Sequence, residues 1–128
     1  MIVDRKSIRP KIKEINTTLN KTVEEKYQNQ ILRPIIKLQH DLLLAYFQAY
    51  LIKINCQFDQ LSELKKIQFI AAVFKQDNTF KSELKGIVIG QFTTEEFAIY
   101  YERRSDLNKR ILAMIEQRIS SVIIFQTP

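Results

Sequence analysis

An all-α fold, a compact bundle of about five to six helices around a central apolar helix, is what this sequence predicts, and three observations predict it. Apolar residues recur every three to four positions through most of the chain, the period of an amphipathic helix. Glycine and proline number two and three in 128 residues, too few for the turns of an all-β fold. Two threonine motifs have the spacing of a capping box and mark helix starts. The length suits one domain over residues 1–128. With 45% hydrophobic and 27% charged residues, a core of ordinary size is available without a disulfide or metal staple.

In order along the chain, residues 1–21 place Ile8, Ile12, Ile15 and Leu19 at helical spacing. They read as a basic amphipathic arm that docks on the bundle, with Pro10 suited to a first turn. Thr22-Val23-Glu24-Glu25 starts the next helix, the threonine hydroxyl accepting a first-turn N–H and Glu25 reaching back. That helix is expected to run to about Arg33. Pro34 lacks the N–H of a helix interior, so a kink or short break is expected there. A long helix follows to about Ile54. One of its stripes is Leu38, Leu42, Ala45, Ala49 and Ile52; a second is Ile36, Leu43, Phe47, Tyr50 and Ile54. A helix apolar on most sides is buried on most sides, which predicts the central helix of the bundle or a subunit interface.

Ser62 caps the next helix, whose stripe is Leu64, Ile67, Ile70, Ala71 and Phe74. Asp77-Asn78 ends it and caps another, with Phe80, Leu84, Ile87 and Val88 on one face. Gly86 suits close packing, and Gly90 suits the left-handed residue that ends a helix. Thr93 and Glu96 form the second capping box. Phe97, Tyr100 and Tyr101 then make an apolar patch before a polar interruption at 102–106, where Ser105 is placed to cap a restart. Leu107, Ile111, Ile115, Ile119 and Val122 continue at helical spacing, and Val122–Phe125 either finishes the helix or packs as an extended tail.

The net charge of +6 is uneven: residues 1–21 carry six basic and two acidic groups, 22–100 nine of each, 101–128 five and three. Basic ends favour polyanions. Charges follow Met1 at once, and the longest apolar run, Leu42–Phe47, falls far short of the roughly 20 residues that span a bilayer. No membrane span and a cytoplasmic location are therefore expected. The lone Cys56 forms no internal disulfide and reads as a small hydrophobe.

Few residues carry chemistry. His40 is the only histidine, beside an apolar stripe; it is either a hydrogen-bonded, half-buried residue or a contact for a small ligand. Glu24-Glu25 and Glu95-Glu96 fall in first helical turns, where the helix dipole favours negative charge. No Glu-x-x-His unit of a dimetal bundle and no glycine-rich phosphate loop occurs. No metal or cofactor set is therefore expected. Basic residues cluster at Arg5, Lys6, Arg9, Lys11 and Lys13, and at Arg103, Arg104, Lys109 and Arg110 with Tyr100 and Tyr101 alongside. The second group is either a solvated face or a patch for an anion or a nucleic-acid strand.

Residues 27–39 (Tyr-Gln-Asn-Gln-Ile-Leu-Arg-Pro-Ile-Ile-Lys-Leu-Gln), residues 85–96 (Lys-Gly-Ile-Val-Ile-Gly-Gln-Phe-Thr-Thr-Glu-Glu) and Leu107-Asn108-Lys109-Arg110 are similar to a small bacterial all-helical family. The resemblance spans most of the chain beyond residue 20. Its members often carry the label glyoxalase, and the resemblance brings no catalytic residues with it. Glyoxalase metal sites use several histidine and glutamate ligands, on paired βαβββ modules or in a histidine-rich motif, whereas this chain has one histidine in a helical pattern. The residues themselves favour a non-catalytic helical interaction or regulatory module that self-associates or binds a protein partner. The alternatives are a nucleic-acid or anion binder using the basic ends, and an enzyme acting through His40, Cys56 or a carboxylate.

Overall fold

Four helix starts in this chain are set by side chains that accept first-turn N–H groups, as the computed structural model, which describes residues 5–10 and 22–125, shows. Thr22 Oγ1 accepts from Glu25 N–H (3.1 Å) and opens α1 (Val23–Tyr27). A π-helix (Gln28–Leu32) and α2 (Arg33–Leu38) continue it without leaving helical dihedrals, so residues 23–38 are one rod. α3 (His40–Lys53) follows, and after it Asn55 takes a left-handed φ of 55°, a conformation that asparagine tolerates. A short 3₁₀ turn (Phe58–Gln60) leads to α4 (Glu63–Gln76), capped by Ser62 Oγ. The Asp77 carboxylate caps α5 (Asn78–Ile89). A complete Thr93–Glu96 capping box opens α6 (Thr94–Glu102), and α7 (Arg104–Phe125) closes the bundle. Among the described residues there is no strand, and the fold is all-α.

The central helix is α7. Leu107, Ile111, Ile115 and Ile119 are all fully buried, and α3, α4, α5, α6 and the π-helix pack around them. The expectation that residues 35–54 form the centre is corrected. α3 buries Leu43, Phe47 and Leu51 in the core, with Leu44, Tyr46 and Tyr50 packed partly against it, and its other stripe faces outward, with Leu42 51% and Ile52 77% exposed and Ala45 and Ala49 also exposed. A helix at the rim of a bundle buries one face however many of its faces are apolar. α4 likewise buries Ile70, Val73 and Phe74 and leaves Leu64 and Ile67 out.

Pro34 does not break the rod. It deprives the preceding turn of one α-helical donor, and the π-turn just before it, with Arg33 N–H on Gln28 O, absorbs the irregularity. The break falls at Gln39 (φ −91°, ψ 11°). The glycines also differ from expectation. Gly90 is right-handed (φ −61°), and its N–H donates to Gly86 O (2.9 Å) at the end of α5. A Cβ on Gly86 would meet nothing within 4 Å. The polar interruption breaks at Arg103 (φ −122°), before Ser105, and 122–125 completes α7 as helix.

Of the basic arm, Lys11, Lys13, Ile12, Ile15 and Leu19 lie outside the described residues. Residues 5–10 sit on the α5–α6 connection. Arg9 donates to both Glu96 carboxylate oxygens (2.8 Å each) and to Gln91 O (2.6 Å), and Arg5 donates to Phe92 O (2.9 Å). The Tyr27 hydroxyl donates to Glu96 O (2.8 Å), so the same corner also ties down the first rod.

Candidate functional site

The aromatic and basic cluster around residue 104 is engaged largely with its own neighbours. Arg103 pairs with Glu24 (2.6 Å), and Arg110 pairs with Asp106 and donates to Gln28 Oε1 (2.8 Å). Arg104 lies over the Tyr101 ring, 4.1 Å from its centroid, and donates to Tyr101 O. Tyr100 is buried, its hydroxyl donating to Asn108 Oδ1 (2.6 Å), and burial raises its pKa. Lys109 is exposed. The exposed ring of the pair is therefore Tyr101. His40 is half-buried, with Nδ1 3.1 Å from Arg118 Nη1, and Cys56 is half-buried beside the core. Among the described residues no group of three or more His, Cys, Asp or Glu is placed to hold a metal ion, and no helix is long and apolar enough to cross a membrane.

The outward face of α3 exposes a regular apolar stripe. Leu42, Ala45, Ala49 and Ile52 follow spacings of three, four and three, which puts them on one side of the helix, and all four are exposed. Two large side chains stand at the ends of the stripe and two alanines in its middle. Asp41 lies in the first turn and Lys53 in the last. The stripe is self-complementary under a two-fold axis at the level of Phe47. Two antiparallel copies would set Leu42 level with Ile52 of the other copy, Ala45 level with Ala49, and the acidic end level with the basic end. Alanines at the crossing let two helix axes approach to about 8 Å.

Beside this stripe, α3 and α5 flank an open cavity of 340 Å³ lined by Tyr46, Ala49, Tyr50, Lys53 and Phe80 together with Asp77 and Glu83. Tyr50 and Phe80 rings lie 4.7 Å apart, and Tyr46 and Phe80 rings 5.6 Å. Desolvation first, and the neighbouring carboxylates second, push the Tyr46 and Tyr50 phenols up to about 12. The Tyr50 hydroxyl donates to Asp77 Oδ2 (2.9 Å), and Asp77 Oδ1 accepts from Phe80 N–H. Those bonds hold the Asp77 carboxyl below its usual range. Tyr50 and Asp77 partner each other, and the pocket forms an aromatic flank to the α3 stripe. Sequence reading found both apolar stripes of this helix but had no signal for which one faced out.

Among the described residues, fold and surface together define a small helical bundle with an exposed apolar face on α3 and no assembled metal-ligand cluster. No protein-family model, no curated protein and no solved structure matches the chain.

Proposed function

We propose that this protein is a helical interaction module that self-associates through the outer face of α3, paired antiparallel with the same helix of a second copy. The observation that carries the reading is the stripe Leu42–Ala45–Ala49–Ile52, whose end residues are 51% and 77% exposed while the opposite face of the same helix is core. A patch of this kind costs solubility unless a partner covers it. Its size pattern and its charged ends match themselves in reverse, the requirement for an isologous two-fold contact. Antiparallel packing also opposes the two helix dipoles favourably.

Light scattering on the full chain tests this. The expected mass is about 30 kDa, twice 15.2 kDa. Leu42→Glu combined with Ile52→Glu adds two like charges to each copy and should return the mass to that of a single chain. Both positions are exposed, so far-UV circular dichroism should stay unchanged. A wild-type monomer at 100 μM, on the order of a weak-dimer threshold, rejects the reading.

A further inference from the structure

A second cavity, of 330 Å³, lies between the first rod and the C-terminal half of α7. Its polar wall is Gln28 and Arg33 from the rod and Gln117, Arg118 and Ser121 from α7; Ile36, Met114 and Val122 supply an apolar side. Among the described residues, two guanidinium groups line it and no carboxylate does. Three other arginines are ion-paired, Arg9 on Glu96, Arg103 on Glu24 and Arg110 on Asp106, whereas Arg5 and Arg104 donate to backbone carbonyls. Arg33 and Arg118 form no ion pair among the described residues.

Three further features point at the same place. Arg33 spends Nη2 on Asn29 Oδ1 (3.1 Å), while its Nε is buried with no partner among the described residues. Arg118 Nη1 meets His40 Nδ1 at 3.1 Å. Arginine has no acceptor, so a hydrogen bond there has the imidazole accepting at Nδ1 and carrying its proton on Nε2. That contact ties one end of the guanidinium to α3. The rod is also a π-helix at this point, running from Gln28 to Leu32 just before Arg33. Single π-turns are unfavourable and recur at functional sites. Here the turn places Gln28 on the cavity wall, its amide oxygen already taken by Arg110 and its amide N–H groups left to donate.

We propose that this cavity binds a small organic oxyanion, its carboxylate or phosphate head held by Arg33 and Arg118 and its short apolar body resting on Ile36, Met114 and Val122. Guanidinium forks match both heads with paired N–H donors. The volume falls in the range of small-molecule sites and exceeds what a bare inorganic ion fills. His40 is a positioning residue that acts through Arg118. The site does not depend on the α3 contact, so neither reading falls with the other.

Calorimetric titration of the full chain with benzoate, phenyl phosphate and inorganic phosphate, at constant ionic strength set by sodium chloride, tests the proposal. Saturable binding of benzoate or phenyl phosphate is expected, and the tighter of the two identifies the head group. Arg33→Gln and Arg118→Gln should each weaken that binding about 10- to 100-fold, the effect of losing one charge-assisted contact. Urea unfolding of each variant confirms that the loss is not unfolding. His40→Ala should weaken binding several-fold and His40→Gln should restore it, because the amide oxygen accepts from Arg118 as the ring nitrogen does; a merely structural role would give no such rescue. Absence of saturable binding by all three anions, or affinities unchanged in both arginine variants, overturns the proposal. Inorganic phosphate binding as tightly as phenyl phosphate overturns its apolar half.

Discussion

At the scale of single residues, Glu96 does the most. Burial pushes its carboxyl up, but the two Arg9 hydrogen bonds, the Thr93 N–H and the charges of Arg9 and Lys6 outweigh that and hold it below its ordinary value of 4.5. A depressed folded value means that the ionised form is the one the fold stabilises. Its contribution is complete above the ordinary carboxylate value and is lost as pH falls through the lowered one. Urea stability should therefore decline as pH drops below about 5. In Glu96→Gln the amide can still complete the capping box, but the buried Arg9 loses its counter-charge, its side chain being only 6% exposed. The variant should lose about 3 kcal/mol at pH 7 and show a flatter acid limb. An acid limb as steep as wild type would assign the pH dependence to other carboxylates. The Thr93–Glu96 half of this cluster was legible in the sequence because capping is local. The Arg9 half was not, since 87 residues separate the partners and no periodicity encodes that meeting. Gly86 gives the opposite case: a helix-interior glycine with open space at its Cβ. Gly86→Ala should raise stability by about 1 kcal/mol and the melting temperature by about 3–6 °C. Destabilisation would mean that the position serves something other than packing.

At the scale of elements, the helices were legible and their irregularities were not. Thr22, Ser62, Asp77 and Thr93 each accept the N–H expected of a cap, because a cap needs only a hydroxyl or carboxylate three residues before its donor. Pro34 promised a break, yet the chain absorbed it in a π-turn, a one-residue surplus that leaves no mark in a 3.6-residue pattern. α3 showed two apolar stripes, and nothing in the helix itself tells which one meets the bundle, since the answer lies in Phe58, Phe80 and α7. The direction of the proposed α3 pairing is testable through its ends. In the antiparallel arrangement Asp41→Lys sets cation level with cation at both ends and should weaken the dimer by about 1 kcal/mol, roughly fivefold. Adding Lys53→Asp reverses both ends together and should recover the loss. A parallel pairing instead sets Asp41 beside Asp41, and Asp41→Lys would there leave the affinity unchanged.

At the scale of the whole molecule, the expected all-α bundle is present, but its centre has moved from the most apolar helix to the longest one. Composition made residues 35–54 look central because alanines at 45 and 49 count as apolar wherever they point. α7 earns the centre by geometry: its 22 residues reach past every other element, so one narrow stripe of Leu107, Ile111, Ile115 and Ile119 can serve five neighbours. The difference between a helix that organises the core and one that presents a surface is measurable. Ile115→Ala deletes a fully buried side chain among close-packed partners and should cost about 2–5 kcal/mol in urea unfolding at any protein concentration. Ile52→Ala removes a side chain 77% exposed in the single chain and should change the unfolding of dilute protein by no more than about 0.5 kcal/mol. The two variants should respond differently to protein concentration. Dimerisation stabilises wild type by mass action, so a deficit in Ile52→Ala should grow with concentration while that of Ile115→Ala stays constant. If the Ile52→Ala deficit stays the same from 1 to 100 μM, on the order of the range over which a weak dimer forms, the outward face of α3 has no second copy on it.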